Sequence, residues 1–128
     1  MSLRSPLAVV LGRGAAGEGT AHWWAQRVSA LALAPLSLWF LVSLMRLQLD
    51  DYAAVTIWMA RGANPLWLSL LLLALCAHAR LGVQVVIEDY VHGAALKTTA
   101  LLLNSAAHLL LAAAGLYAVL RMALRGLT

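Results

Sequence analysis

The chain has 128 residues, 63% of them hydrophobic and 11% charged, with a mean hydropathy of +0.85. A soluble domain carries about 25% charged residues, so this composition excludes a water-soluble globular fold, and the scarcity of charge excludes disorder. Nine Lys and Arg stand against five Asp and Glu, but the cations sit singly between long apolar runs, the pattern of membrane-helix flanks and not of a nucleic-acid-binding stripe. The single cysteine, Cys76, excludes an internal disulfide and a cysteine-rich metal site.

The fold expected is an all-α membrane protein of three transmembrane helices. Residues 1–26 contain an apolar run, 7–11, that is too short for a secretory signal and leads into the glycine-rich stretch 12–19. They read as a tail and an interfacial approach, with Trp23 and Trp24 at headgroup level. Residues 27–128 read as the membrane anchor. Its first span, a helix over about 27–48, holds the charge-free run 28–45 between Arg27 and Arg46. Asp50, Asp51, Tyr52, Trp58 and Arg61 then alternate with apolar residues, which predicts a short segment lying along the interface. The second helix, about 65–92, opens at Asn64-Pro65, where Asn64 can cap and proline suits the first turn, and stops at Gly93, a natural C-terminal cap. The third, about 98–120, lies between Lys97 and Arg121. The first and third runs reach the roughly 18–23 residues that cross a hydrocarbon core of about 30 Å. Three spans put the two ends of the chain on opposite faces. Charge does not orient them: Arg4, Arg13, Arg27 and Lys97 on one side balance Arg46, Arg61, Arg121 and Arg125 on the other.

Polar residues within a span are costly and mark function. At 100° per residue His78, Gly82, Val85 and Asp89 fall at about 0°, 40°, −20° and 20°, one narrow face of the second helix. A histidine there either hydrogen-bonds a neighbouring helix or ligates haem iron, with Gly82 letting a flat macrocycle approach the backbone. His108 in the third helix lies at similar depth, so bis-histidine ligation within the chain is geometrically open, as is an interhelical hydrogen bond near Asn104 and Ser105. Arg80 points about 200° from His78 and needs an anionic partner or a protein-lined polar cavity. Arg27, at the mouth of the first helix, can reach headgroups or pair with a propionate. Glu88, Asp89 and Tyr90 either anchor the helix end or hydrogen-bond a quinone and deliver protons to it.

The run from His78 through Gly82 and Gln84 to Asp89-Tyr90-Val-His92-Gly93 resembles the signature of the small hydrophobic membrane anchors of succinate dehydrogenase: a histidine, a glycine four residues on, and an Asp-Tyr pair at plus eleven and plus twelve. Gln26-Arg27-Val28-Ser29-Ala30, opening the first span, resembles the family's start, and the form Val-Ile-Glu-Asp-Tyr-Val-His looks alphaproteobacterial. The resemblance covers about residues 22–120.

It implies a subunit of succinate:ubiquinone oxidoreductase, not catalytic alone, in a bacterial inner membrane. A flavoprotein subunit with FAD and an iron–sulfur subunit with its clusters oxidise succinate, while this chain and a second membrane-anchor subunit hold them to the bilayer. By the same resemblance His78 ligates a b-type haem opposite a ligand from the second anchor, within a shared multi-helix bundle. Arg27 and His22 lie near the haem propionates, and Gly82 lines the haem. Tyr90, with Asp89, binds ubiquinone at the cytoplasmic face, which makes the N-terminus cytoplasmic. Arg80 has no counterpart in the pattern. Two other readings stand beside this one: a haem-free structural anchor of a related complex, and a small intramembrane proton or cation conductor using Glu88, Asp89 and Arg80.

Overall fold

The computed structural model describes residues 16–126, with side chains from residue 20 onward. Four helices follow one another: α1 (Ala16–Arg46), α2 (Tyr52–Ala60), α3 (Asn64–Tyr90) and α4 (Ala94–Arg125). Three of them, α1, α3 and α4, are long and apolar enough to cross a membrane. The expected all-α architecture of three spans and a short intervening segment is therefore present.

The ends of the elements differ from the sequence reading in instructive ways. The first helix begins at Ala16 and not near Arg27, so Trp23 and Trp24 ride on it, edge to face at 5.3 Å. Nothing between residues 16 and 27 breaks a helix except Gly17 and Gly19, and the glycine-rich look of that stretch overstated the interruption. Residues 1–15 of the expected tail lie outside the described residues. Asn64 is not the cap of α3. It is the first helical residue, after Ala63, and its side-chain amide donates back to the Trp58 carbonyl at 2.8 Å, tying α3 to α2. Gly93 does not end α3 either. Val91 does so, and Gly93 is the N-cap of α4, leaving only residues 91–93 as the connection.

The spans stand in a row. α3 packs against α1 on one side and α4 on the other, while α1 and α4 make no contact with each other among the described residues. Small residues let α3 and α4 approach closely: a Cβ at Gly115 would collide with the Leu72 side chain. The Asn104 side chain, buried between the two helices, donates to the Arg80 carbonyl at 2.9 Å and sets their register. At the far end Trp39 of α1 stacks on Trp58 of α2 at 5.9 Å and lies 6.3 Å from Trp67 of α3, an aromatic girdle of the kind found at a membrane interface. α2 also leans on α4, where Tyr52 donates to the Met122 sulfur. Arg125, hydrogen-bonded to the Tyr52 phenol, holds it below the usual phenol range, with Thr56 adding to the effect.

Such a row buries almost nothing of itself. Only Thr56, Asn104, Ala112 and Ala123 are buried among the described residues, and no large side chain is. The apolar surface is therefore covered by lipid or by other protein, not by this chain. Because the α3–α4 seam is narrow, Gly115→Leu is expected to force the helices apart. Overpacking of this kind costs about 1–3 kcal/mol, and it should appear as a lower temperature of helix loss in the solubilised protein.

Candidate functional site

The polar residues of α1 and α3 meet on one seam. His22, Gln26 and Ser29 are spaced four and three residues apart on α1 and so share a helix face. Opposite them, His78 of α3 brings Nδ1 to 3.0 Å from the Ser29 hydroxyl and Nε2 to 3.4 Å from the Gln26 amide nitrogen. The Ser29 hydroxyl donates its own proton to the Gln26 carbonyl at 3.0 Å, so its oxygen is left to accept from His78 Nδ1–H. That chain of bonds assigns the tautomer: the proton is on Nδ1, and the lone pair of Nε2 is turned toward Gln26.

Two buried polar atoms on this seam have no partner, His22 Nε2 and Gln26 Oε1. Orphaned groups of this sort are rare in native proteins and call for an unseen partner. Gly82, one turn beyond His78, meets the same cluster, yet a Cβ there would touch only Gln26 Nε2, at an ordinary 3.8 Å. Nothing among the described residues demands a glycine at this position. On the other side of His78 the seam widens into an apolar cleft of about 600 Å³ between Pro35, Leu36 and Trp39 of α1 and Trp67, Leu70 and Ala74 of α3.

The remaining predicted residues are distributed around this seam. Arg27 points off it, exposed, with its guanidinium 4.9 Å above the Trp23 ring. Asp89 and Tyr90 close α3 about 18 Å along the axis from His78. Tyr90 is 78% exposed. Neighbouring Glu88 is occupied: its carboxylate accepts from Gln84, and its carbonyl accepts from Lys97, both at 2.8 Å. Asp89 and Tyr90 are thus left as the open polar pair at that helix end. His108 lies elsewhere. Its Nδ1 donates to the Asn104 carbonyl at 2.8 Å, and its ring lines a groove between α3 and α4 together with Arg80. Sequence reading gave no role to Gln26 or Ser29. Their signal was available, as polar residues in step with His22 on an otherwise apolar helix.

Comparison with known proteins decides the family. The description "Succinate dehydrogenase/Fumarate reductase transmembrane subunit" matches residues 1–120. The chain belongs to this family. It is 35% identical over 86 residues to a succinate dehydrogenase hydrophobic membrane anchor subunit of Rickettsia bellii, covering 67% of this chain and 69% of the relative. It is 34% identical over 80 residues to a succinate dehydrogenase membrane anchor subunit of Reclinomonas americana, covering 59% and 66%. The corresponding Rickettsia conorii subunit is 31% identical over 91 residues, covering 70% and 72%. No solved structure matches the chain. The three apolar helices are therefore those of a succinate dehydrogenase membrane anchor of alphaproteobacterial type, a multi-pass inner-membrane subunit that is non-catalytic within an enzyme complex.

Proposed function

We propose that His78 of this anchor would hold the iron of a b-type haem, and that Tyr90 with Asp89 forms part of the ubiquinone site of succinate:ubiquinone oxidoreductase. The observation that carries the haem assignment is the hydrogen-bonded pose of His78. With Nδ1–H held by Ser29, the ring is oriented and its Nε2 carries the lone pair a metal needs, met in this structure only by the long 3.4 Å contact from the Gln26 amide. The residues around it fit the group: His22 Nε2 and Gln26 Oε1 want polar partners, which propionates and their waters supply, and Gly82 leaves room for a flat ring. Arg27 adds a positive charge at the same end of α1. Bound there, haem supplies a one-electron redox centre inside the bilayer.

The partners in this reading are the flavoprotein, the iron–sulfur protein and a second anchor that completes the haem ligation. Oxidation of succinate to fumarate releases two electrons and two protons in the partner subunits, and ubiquinone takes up two of each. The Tyr90 phenol donates a hydrogen bond to a quinone carbonyl oxygen, favouring the charge that builds there on reduction. Asp89, beside it, passes protons from water. The Tyr90 end of α3 and the start of α1 then share the cytoplasmic face.

Tyr90→Phe is expected to slow succinate–quinone reduction up to about tenfold, the worth of one hydrogen bond of about 0.5–1.5 kcal/mol. Succinate oxidation by an artificial acceptor that bypasses the quinone should barely change. Equal loss in both assays would mean misassembly and not a quinone contact. One observation favours the haem-free anchor: Gln26 already reaches His78 Nε2, though at a long 3.4 Å. An absorption spectrum of the complex purified from native membranes separates the two readings. The conductor reading finds no support, because Glu88 is bonded to Gln84 at the helix end while Arg80 lies more than two turns away.

A further inference from the structure

Arg80 plays no part in the seam that carries His78. It lies in a groove of about 190 Å³ on the other side of α3, lined also by Cys76 and Ala77 of α3 and by Ser105, His108 and Leu109 of α4. The Asn104 bond to its carbonyl pins α4 beside it, but no carboxylate among the described residues reaches its guanidinium, and the side chain is exposed. His108 is already turned by its bond to the Asn104 carbonyl, so a proton on Nδ1 leaves Nε2 as an acceptor. The groove thus presents a full positive charge flanked by a hydroxyl and an imidazole, on a face otherwise made of leucine and alanine.

Depth narrows what can cover it. Arg80 stands ten residues from Tyr90, about 15 Å along the axis and half of a hydrocarbon core of about 30 Å. The other end of α3, at Asn64, is farther still. Snorkelling serves arginines near helix ends, and a lipid phosphate is out of reach from the middle. A second copy of this chain cannot provide the counter-charge either: its five carboxylates are Glu18, Asp50, Asp51, Glu88 and Asp89, none of them in the central part of a span. The side of the row that bears the groove is also open. Leu73 lines both this groove and the apolar cleft between α1 and α3, so the two depressions adjoin on one face that α1 and α4 do not close over.

We infer that this face seats a transmembrane helix of a different polypeptide, and that this helix brings an aspartate or glutamate to Arg80 at mid-bilayer depth. The pair is an intramembrane lock between subunits, with the Ser105 hydroxyl in the same groove as a donor for one of the carboxylate's remaining lone pairs. Family membership, and not the haem or quinone assignment, is the footing for a partner chain, so failure of either assignment leaves the inference standing.

The test places a photoreactive amino acid at Leu109, which is 72% exposed and borders the groove, in the full complex in native membranes. Irradiation should join it to a partner subunit at a peptide whose membrane span contains an acidic residue. Arg80→Lys should keep that adduct, and Arg80→Gln should reduce it at least several-fold. Adducts confined to lipid, to another copy of this chain, or to a span without a carboxylate would overturn the inference, as would an adduct indifferent to Arg80→Gln. Should Arg80→Gln fail to accumulate, the identity of the peptide joined to the Arg80-containing chain still decides.

Discussion

His78→Ala should abolish the low-spin haem spectrum that the proposed reading expects of the purified complex, by loss of haem or by conversion to high spin, whereas His108→Ala should leave it intact. The two histidines lie at comparable depth, since Asn104 of α4 is level with Arg80 of α3. Depth therefore does not separate them, but direction does. His78 faces α1, with its Nδ1–H on Ser29 and two unsatisfied polar atoms beside it. His108 faces the Arg80 groove on the other side of α3, and the close approach of Leu72 and Gly115 leaves no room between α3 and α4 for a porphyrin. Ordinary packed helices stand about 8–10 Å apart, far less than a ring held between two imidazoles requires. On the proposed haem reading, a second ligand would therefore come from the companion anchor. Loss of a histidine that would hold the haem iron would weaken its retention or change its spin state. If His108→Ala gave the high-spin product and His78→Ala did not, the assignment would be reversed.

Much of this arrangement was legible in the chain itself. Apolar runs of membrane-crossing length are unambiguous because the bilayer tolerates few other designs: the first and third are charge-free between single cations, the second is broken only by Arg80 before its acidic end, and all three spans appear where those runs lie. The helix ends were less legible. Asn64 and Gly93 carry the right chemistry for caps, yet one is drawn into a bond with Trp58 and the other opens the following helix. Local propensity marks the positions a residue suits and cannot choose between two adjacent ends. The site was half legible. His78, Gly82, Asp89 and Tyr90 stand out through spacing and resemblance. Gln26 and Ser29 do not, because a glutamine and a serine in a helix gain meaning only when a second helix places a histidine against them. The open Arg80 groove likewise follows from which faces α1 and α4 leave uncovered, a property of packing and not of periodicity.

Expressed without its partner subunits, the chain should fall at least about tenfold in membrane abundance, read by immunoblot against the complete complex. The isolated row leaves Arg80 facing lipid, a burden of about 2.5–3.5 kcal/mol for an arginine at the centre of a helix. It also leaves His22 Nε2 and Gln26 Oε1 buried without partners, each worth about 1–3 kcal/mol. Even about 1–2 kcal/mol shifts cellular abundance several-fold, because quality control acts on the open population. A monodisperse, haem-loaded preparation of the lone chain would contradict both the burden and the two-anchor picture. The sign of a second measurement makes the expectation specific. Arg80→Leu removes the largest penalty, so it should raise the level of the lone chain. In the presence of all partners the same substitution strands the partner's carboxylate in the bilayer, so it should lower the yield of assembled complex. A substitution that merely damaged the fold would lower both.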